Sequence, residues 1–206
     1  MITNNTPGGA CAPRRIAIFA SGNGSNAEQI VEYFRKEGRA DAEVALIVCN
    51  RAAAPVLQRA ERLGVPALLM TRAEINDEEL MLHRLDEYAV DYIVLAGFLL
   101  MIPQFLLRRY PGRIINIHPS LLPKFGGKGM YGRHVHEAVV AAGESVTGIT
   151  IHFVSEECDG GEIIFQAEVP VDPTDTADDV ERKIHILERV HYPGQIHRLI
   201  TGRHQD

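Results

Sequence analysis

The chain has no tryptophan, only 3 cysteines, and fewer basic than acidic side chains. With 21 Lys and Arg against 27 Asp and Glu, its formal net charge is -6 at pH 7. Binding a nucleic-acid backbone requires a basic footprint, so no nucleic-acid partner is expected. A locally positive pocket for a small anion is still compatible with an acidic surface.

Cys11, Cys49 and Cys158 are scattered, with neither the spacing of a zinc site nor that of a disulfide frame. This usage points to a reducing compartment. Apolar runs stop short of the ~18 residues that suggest a membrane span. Met1–Pro13 lacks the apolar stretch of a signal peptide. A cytoplasmic protein with no membrane partner is therefore expected, with residues 1–13 as a disordered leader and residues 14–206 as one domain.

What is present is an alternation of short apolar runs with amphipathic stretches, and 46% hydrophobic residues, enough for a sizeable core. Strands are predicted at Arg14–Ala20 (RRIAIFA), Glu43–Cys49 (EVALIVC), Val65–Leu69, Asp91–Ala96 (DYIVLA) and Arg113–Ile117 (RIINI). Helices are predicted at Ser25–Lys36, Ala54–Leu63 with Gly64 as its stop, Asp77–Tyr88, Pro103–Tyr110 and His134–Ala142. Apolar strands alternating with helices imply an α/β fold, a Rossmann-like, mostly parallel sheet with helices on both faces.

The pattern then changes. Gly148–Val154 (GITIHFV) alternates, placing Ile149, Ile151 and Phe153 on one side and Thr150 and His152 on the other. His152 is expected to point toward a partner or solvent. With Glu162–Val169, this stretch predicts a C-terminal antiparallel strand pair. Thr176-Ala177-Asp178-Asp179 reads as the start of a final long helix, which Pro193 should bend or end.

Gly22-Asn23-Gly24-Ser25-Asn26-Ala27 lies between a predicted strand and helix and fits G-x-G-x-x-G/A. Unpaired N–H groups and the helix dipole make such a turn an anion site. A nicotinamide dinucleotide would also need an acidic residue at the end of the second strand. That strand ends Cys49-Asn50-Arg51, so a single phosphate is the better fit, with an NADP enzyme as the rival. The alternative is a tight turn that merely needs glycine.

Asn116 and His118 sit two apart at the C-terminal end of a predicted parallel strand, where open α/β sheets place ligands. An amide donor beside an imidazole suits acyl transfer, one steadying an oxyanion and the other moving protons. They could instead only pin the Pro119 loop. A carboxylate would orient the imidazole and favour its charged form; Glu156, Glu157 and Asp159 are equally placed to supply it. Cys158 has no identified basic neighbour to activate it. His134 and His136 lack metal-ligand spacing, so no metal is expected.

The runs SGNGSN, VLAGF, NIHPSLLPKF, HFVSEECDGG and ILERVHYP, in this order and spacing, resemble the glycinamide ribonucleotide formyltransferases from about Ile16 to Ile200. The resemblance implies the formyltransferase fold, its first half binding phosphate and its second completing a folate site. It also implies transfer of a formyl group from 10-formyltetrahydrofolate to the amine of glycinamide ribonucleotide, by a monomer or homodimer without metal. On this resemblance, Asn116, His118 and Asp159 would be catalytic: Asn116 would bind the formyl oxygen, His118 would transfer the proton, and Asp159 would orient it. Gly24, Ser25 and Asn26 would cradle the 5′-phosphate, with His185 and Glu188 reaching the same substrate. Folate would lie against Leu99, Leu100, Met101, Ile102 and Asn116 and the loop of Ser155, Glu156, Glu157, Cys158 and Asp159. Two features depart from the family pattern: no arginine follows Phe98, and the Lys124–His136 loop is longer than in the best-known members. Lys124 and Lys128 are candidate substitutes for the missing guanidinium.

Overall fold

The computed structural model describes residues 12–36, 39 and 41–202; most of the expected leader, with Cys11, lies outside these. Strands β1 (Arg14–Ala20), β2 (Ala42–Cys49), β3 (Ala67–Leu69), β4 (Tyr92–Leu95), β5 (Ile114–His118), β6 (Val146–Phe153) and β7 (Ile163–Pro170) form one sheet in the order β3-β2-β1-β4-β5-β6-β7. The first five pair in parallel; β5–β6 and β6–β7 pair antiparallel. The chain winds outward from β1 to β3, then returns to β4 on the other side of β1. That reversal opens a crevice at the C-terminal ends of β1 and β4, the usual ligand position in such sheets.

Strand periodicity of two explains why β1 is apolar throughout. Ile16, Ile18 and Ala20 face one core, shared with helices α1 (Ser25–Phe34), α2 (Val56–Leu63) and α7 (Ala177–Thr201). Ala17 and Phe19 face a second core, shared with α3 (Arg72–Ile75), α4 (Glu78–Glu87) and α5 (Gln104–Arg109). The remaining helix, α6 (Arg133–Ala141), packs against α7. Helices therefore cover both faces, as the pattern predicts.

Three local points refine the expectations. On β6, Thr150 and His152 are both buried, and of the two expected environments His152 takes the partner, Asn116, rather than solvent. The strand is flanked by β5 and β7, and neighbours satisfy its polar groups: Thr150 Oγ1 donates to Ser120 O at 2.7 Å and accepts from Leu122 N at 2.9 Å. Pro193 does not end α7, which continues to Thr201. Burial of Tyr192, Ile196 and Ile200 on the sheet outweighs the one lost helical N–H. Finally, α3 was not expected, although Thr71 and Glu74 form a complete capping box around it.

Candidate active site

The glycine turn leaves β1 and enters α1 with Gly24 as the N-cap, at φ 80° and with no side-chain cap. A Cβ at Gly24 would lie 2.5 Å from Val56 Cγ2, so the position requires glycine for both conformation and space. The first-turn N–H groups of a helix have no intrahelical acceptor, and those of α1 follow directly on the C-terminal end of β1. The turn is held from α2: Arg59 Nε donates to Asn23 O at 2.9 Å and Arg59 Nη2 to Asn23 Oδ1 at 2.6 Å. Arg59 also pairs with Glu28 of α1. Ser21 Oγ donates to Asn50 Oδ1 at 2.6 Å and accepts from Leu99 N at 2.9 Å, joining the ends of β1, β2 and β4.

Two residues of α7 meet this turn. Asn26 Nδ2 donates to Glu188 Oε2 at 3.0 Å, and His185 Nδ1 lies 3.0 Å from the same oxygen. His185 Nε2 faces Glu181 Oε1 at 3.6 Å. The bond to Glu188 raises the His185 pKa, against the opposing effect of burial. Thus Asn26, His185 and Glu188, far apart in sequence, occupy one spot beside a helix N-terminus.

The second cluster lies at the end of β5. Asn116 is directly opposite His152 on β6, and its Nδ2 is 3.0 Å from His152 Nε2. His152 Nδ1 lies 2.8 Å from the carbonyl of Phe153, which can only accept. The proton therefore sits on Nδ1, and Nε2 accepts one N–H of the Asn116 amide. Burial lowers the His152 pKa and keeps the ring neutral in this role. The second amide N–H of Asn116 is left for another acceptor.

His118 is 4% exposed; its Nε2 is 2.8 Å from Phe125 O, and its Nδ1 is 3.5 Å from Asp159 Oδ2. Both ring nitrogens face partners in the chain. Asp159 Oδ2 accepts from Gly127 N at 2.9 Å, and Oδ1 lies 3.7 Å from His152 Nε2. Of the three acids equally placed in the sequence, the structure brings only Asp159 to the imidazoles; Glu156 and Glu157 are exposed. Asp159 has φ 55°, a left-handed conformation that aspartate tolerates better than most residues.

An amide with a free donor, an imidazole and a carboxylate thus gather at the end of β5, in the same sheet whose β1 runs into the glycine turn. The formyl transferase family pattern matches residues 14–196. The chain belongs to the formyl transferase family. It is 40% identical over 191 residues to phosphoribosylglycinamide formyltransferase of Bacillus subtilis, covering 91% of this chain and 95% of that protein. It is 41% identical to the chloroplastic phosphoribosylglycinamide formyltransferase of Vigna unguiculata, covering 83% of this chain but 56% of that longer protein. The crystal structure of glycinamide ribonucleotide transformylase 1 from Symbiobacterium toebii superposes with a TM-score of 0.86 at 36% identity, covering 98% of this chain and 94% of that one.

In this formyl transferase, the stretch after Phe98 alternates in exposure. Leu99 and Met101 are 47% and 58% exposed, while Leu100 and Ile102 pack into the second core. Lys124 is engaged by Glu144 at 2.9 Å, whereas Lys128 lies exposed one residue beyond Gly127. Burial and the neighbouring Asp159 charge push the Cys158 thiol pKa up, which disfavours a thiolate nucleophile. Among the described residues, no three His, Cys, Asp or Glu side chains are grouped to hold a metal. No helix among them is long and apolar enough to cross a membrane.

Sequence reasoning missed His152 and Arg59. The only signal for His152 was its register opposite Asn116, which becomes visible once β5 and β6 are known to pair. Arg59 carried no motif at all.

Proposed function

We propose that this transferase moves the formyl group of 10-formyltetrahydrofolate to the amine of glycinamide ribonucleotide, giving the formylated ribonucleotide and tetrahydrofolate. The observation that carries the reading is the Asn116 amide, oriented by neutral His152 so that one N–H is free at the strand end. The substrate amine attacks the formyl carbon, the carbonyl π pair moves onto oxygen, and Asn116 donates to that oxyanion. Collapse breaks the bond to N10 of the folate, and the proton lost by the attacking nitrogen goes to N10. Asp159 and His118, next to each other on the same side, carry that proton. Gly24, Ser25 and Asn26 hold the 5′-phosphate, and Glu188 and His185 lie against the ribonucleotide.

The exposed apolar side chains of Leu99 and Met101 and the Ser155–Asp159 loop flank the folate. Leu100 and Ile102 support that wall from the core. Lys128, exposed one residue beyond Gly127 and, among the described residues, not held by an acid as Lys124 is, would meet the acidic folate tail. The described chain works as one domain, in the cytoplasm, as a monomer or homodimer.

The test is an assay of the full chain with 10-formyl-dideazafolate and glycinamide ribonucleotide, following the deformylated analogue. Ribonucleotide-dependent turnover is expected, and Asn116→Ala should lower it by about 10²–10³-fold, the usual cost of one oxyanion donor. No ribonucleotide-dependent signal from the wild-type chain would overturn the reading.

A further inference from the structure

Tyr192 is fully buried in the first core, where phenylalanine would pack as well without the burden of a hydroxyl. Its Oη donates to Leu95 O at 2.8 Å and lies 3.4 Å from Ile115 O. Burial drives its pKa well above the usual tyrosine value, so it stays a donor at every working pH. The two carbonyls belong to neighbouring strands. The β4–β5 ladder consists of Ile93↔Ile114, Val94↔Ile115 and Leu95↔Asn116, and ends there. Beyond it the strands part, β4 into the stretch leading to Leu99 and Met101, β5 into His118 and Pro119. The hydroxyl is therefore bonded at the last rung, beside the peptide that carries Asn116.

The geometry points to Tyr192 as a positioning residue for formyl transfer: its hydroxyl ties the diverging ends of β4 and β5 and so fixes the Asn116 amide relative to the Leu99–Met101 wall. This rests on the proposed role of Asn116. The sequence requirement follows from distance, because an amide displaced by even 1 Å forfeits much of its effect on a developing charge. His152 holds the Asn116 side chain from β6, and Tyr192 steadies the adjoining backbone from α7, its one proton going chiefly to Leu95 O with Ile115 O as the minor acceptor.

Tyr192→Phe removes only the oxygen. Turnover is expected to fall about five- to tenfold, with KM for both substrates within about twofold of wild type and an unchanged pH profile. A purely structural role predicts a lower unfolding midpoint with wild-type kcat below it, and that result would overturn the proposal. So would equal changes in kcat and both KM values. Amide hydrogen exchange supplies a readout independent of the reaction. In the variant, exchange at the amides that join β4 to β5 should accelerate while Ala96, whose N–H donates to Phe19 O of β1, stays protected together with β1 and β2; acceleration spread evenly over the sheet, or none, would also overturn it. If the wild-type chain lacks formyl transfer but exchange is localised as expected, the strand tie stands and the reaction assignment falls.

Discussion

Asp159 Oδ2 lies 3.5 Å from His118 Nδ1 and accepts the backbone N–H of Gly127 at 2.9 Å, which joins β5 to the turn after β6 and to the long loop after β5. One carboxylate thus fixes the relative placement of three segments. Asp159→Asn keeps the volume and tolerates φ 55°, but presents a neutral amide to both imidazoles. Turnover should fall on the order of 10²-fold or more, by analogy with other groups whose charge acts on the transition state. Steady-state kinetics decides it, and near-normal kcat would remove Asp159 from the proton path.

Gly24→Ala tests the phosphate turn. The methyl would meet Val56 at an αL position, at a combined cost of about 2 kcal/mol. KM for the ribonucleotide should rise together with the loss of stability. In Gly24→Ala/Val56→Ala only the nearest clash is removed, because Cβ and Cα of residue 56 still lie 2.7 and 2.9 Å from the new methyl and the backbone remains strained, so recovery should be slight. Urea unfolding of both variants measures it.

His185 should make ribonucleotide binding depend on pH. Its raised pKa reflects the bond to Glu188 and the charge of Glu181, opposed by burial and by Arg189; His136 of α6 lies within electrostatic reach, and Asn26 of α1 shares the Glu188 carboxylate. The imidazolium is present below that pKa and is lost as pH rises through it. Ribose 5-phosphate affinity should therefore fall with rising pH by about two- to fivefold more in wild type than in His185→Gln, a modest effect because the ring is half exposed. Calorimetry from pH 6 to pH 8.5 would show it; parallel curves for the two proteins would refute it.

His136 and His152 act in the opposite direction, and on folding. Burial lowers both folded-state pKa values, while the unfolded chain titrates near the ordinary value of about 6.5. Below that pH the unfolded state binds protons that the folded state refuses, so this stability is complete above about pH 6.5 and erodes as pH falls toward the folded values. The urea midpoint should be lower at pH 5.5 than at pH 7.5. His136→Asn, which cannot titrate there, should narrow the gap.

Much of the fold was legible because β1, β2, β4 and β5 are apolar on both faces, which only a sheet covered on two sides requires. Helix starts were legible where a side chain caps them, as at Asp77 and Thr176. The Thr71-x-x-Glu74 box offered the same signal for α3, in a stretch too short for periodicity to reinforce it. Asn116 and His118 stood out by spacing along one strand. Asp159 could not be separated from Glu156 and Glu157, since the backbone turn at φ 55° decides which acid points inward. The choice between a partner and solvent for His152 could not be made, because alternation tells two faces apart without telling whether both are covered.

The bond between Asn26 and Glu188 spans 162 positions, from the first helix to the last. The acyl-transfer groups lie between Asn116 and Asp159, well inside that span. A growing chain therefore carries its proposed chemistry before it carries the partner that completes the phosphate end. Until α7 is made, α1 lacks one of the surfaces it packs against, and Phe34 lacks the His197 ring that it meets edge-on. Synthesis of the last helix then closes the apolar core and the substrate's address in one event, so a truncated product would be both inactive toward the ribonucleotide and a target for chaperones.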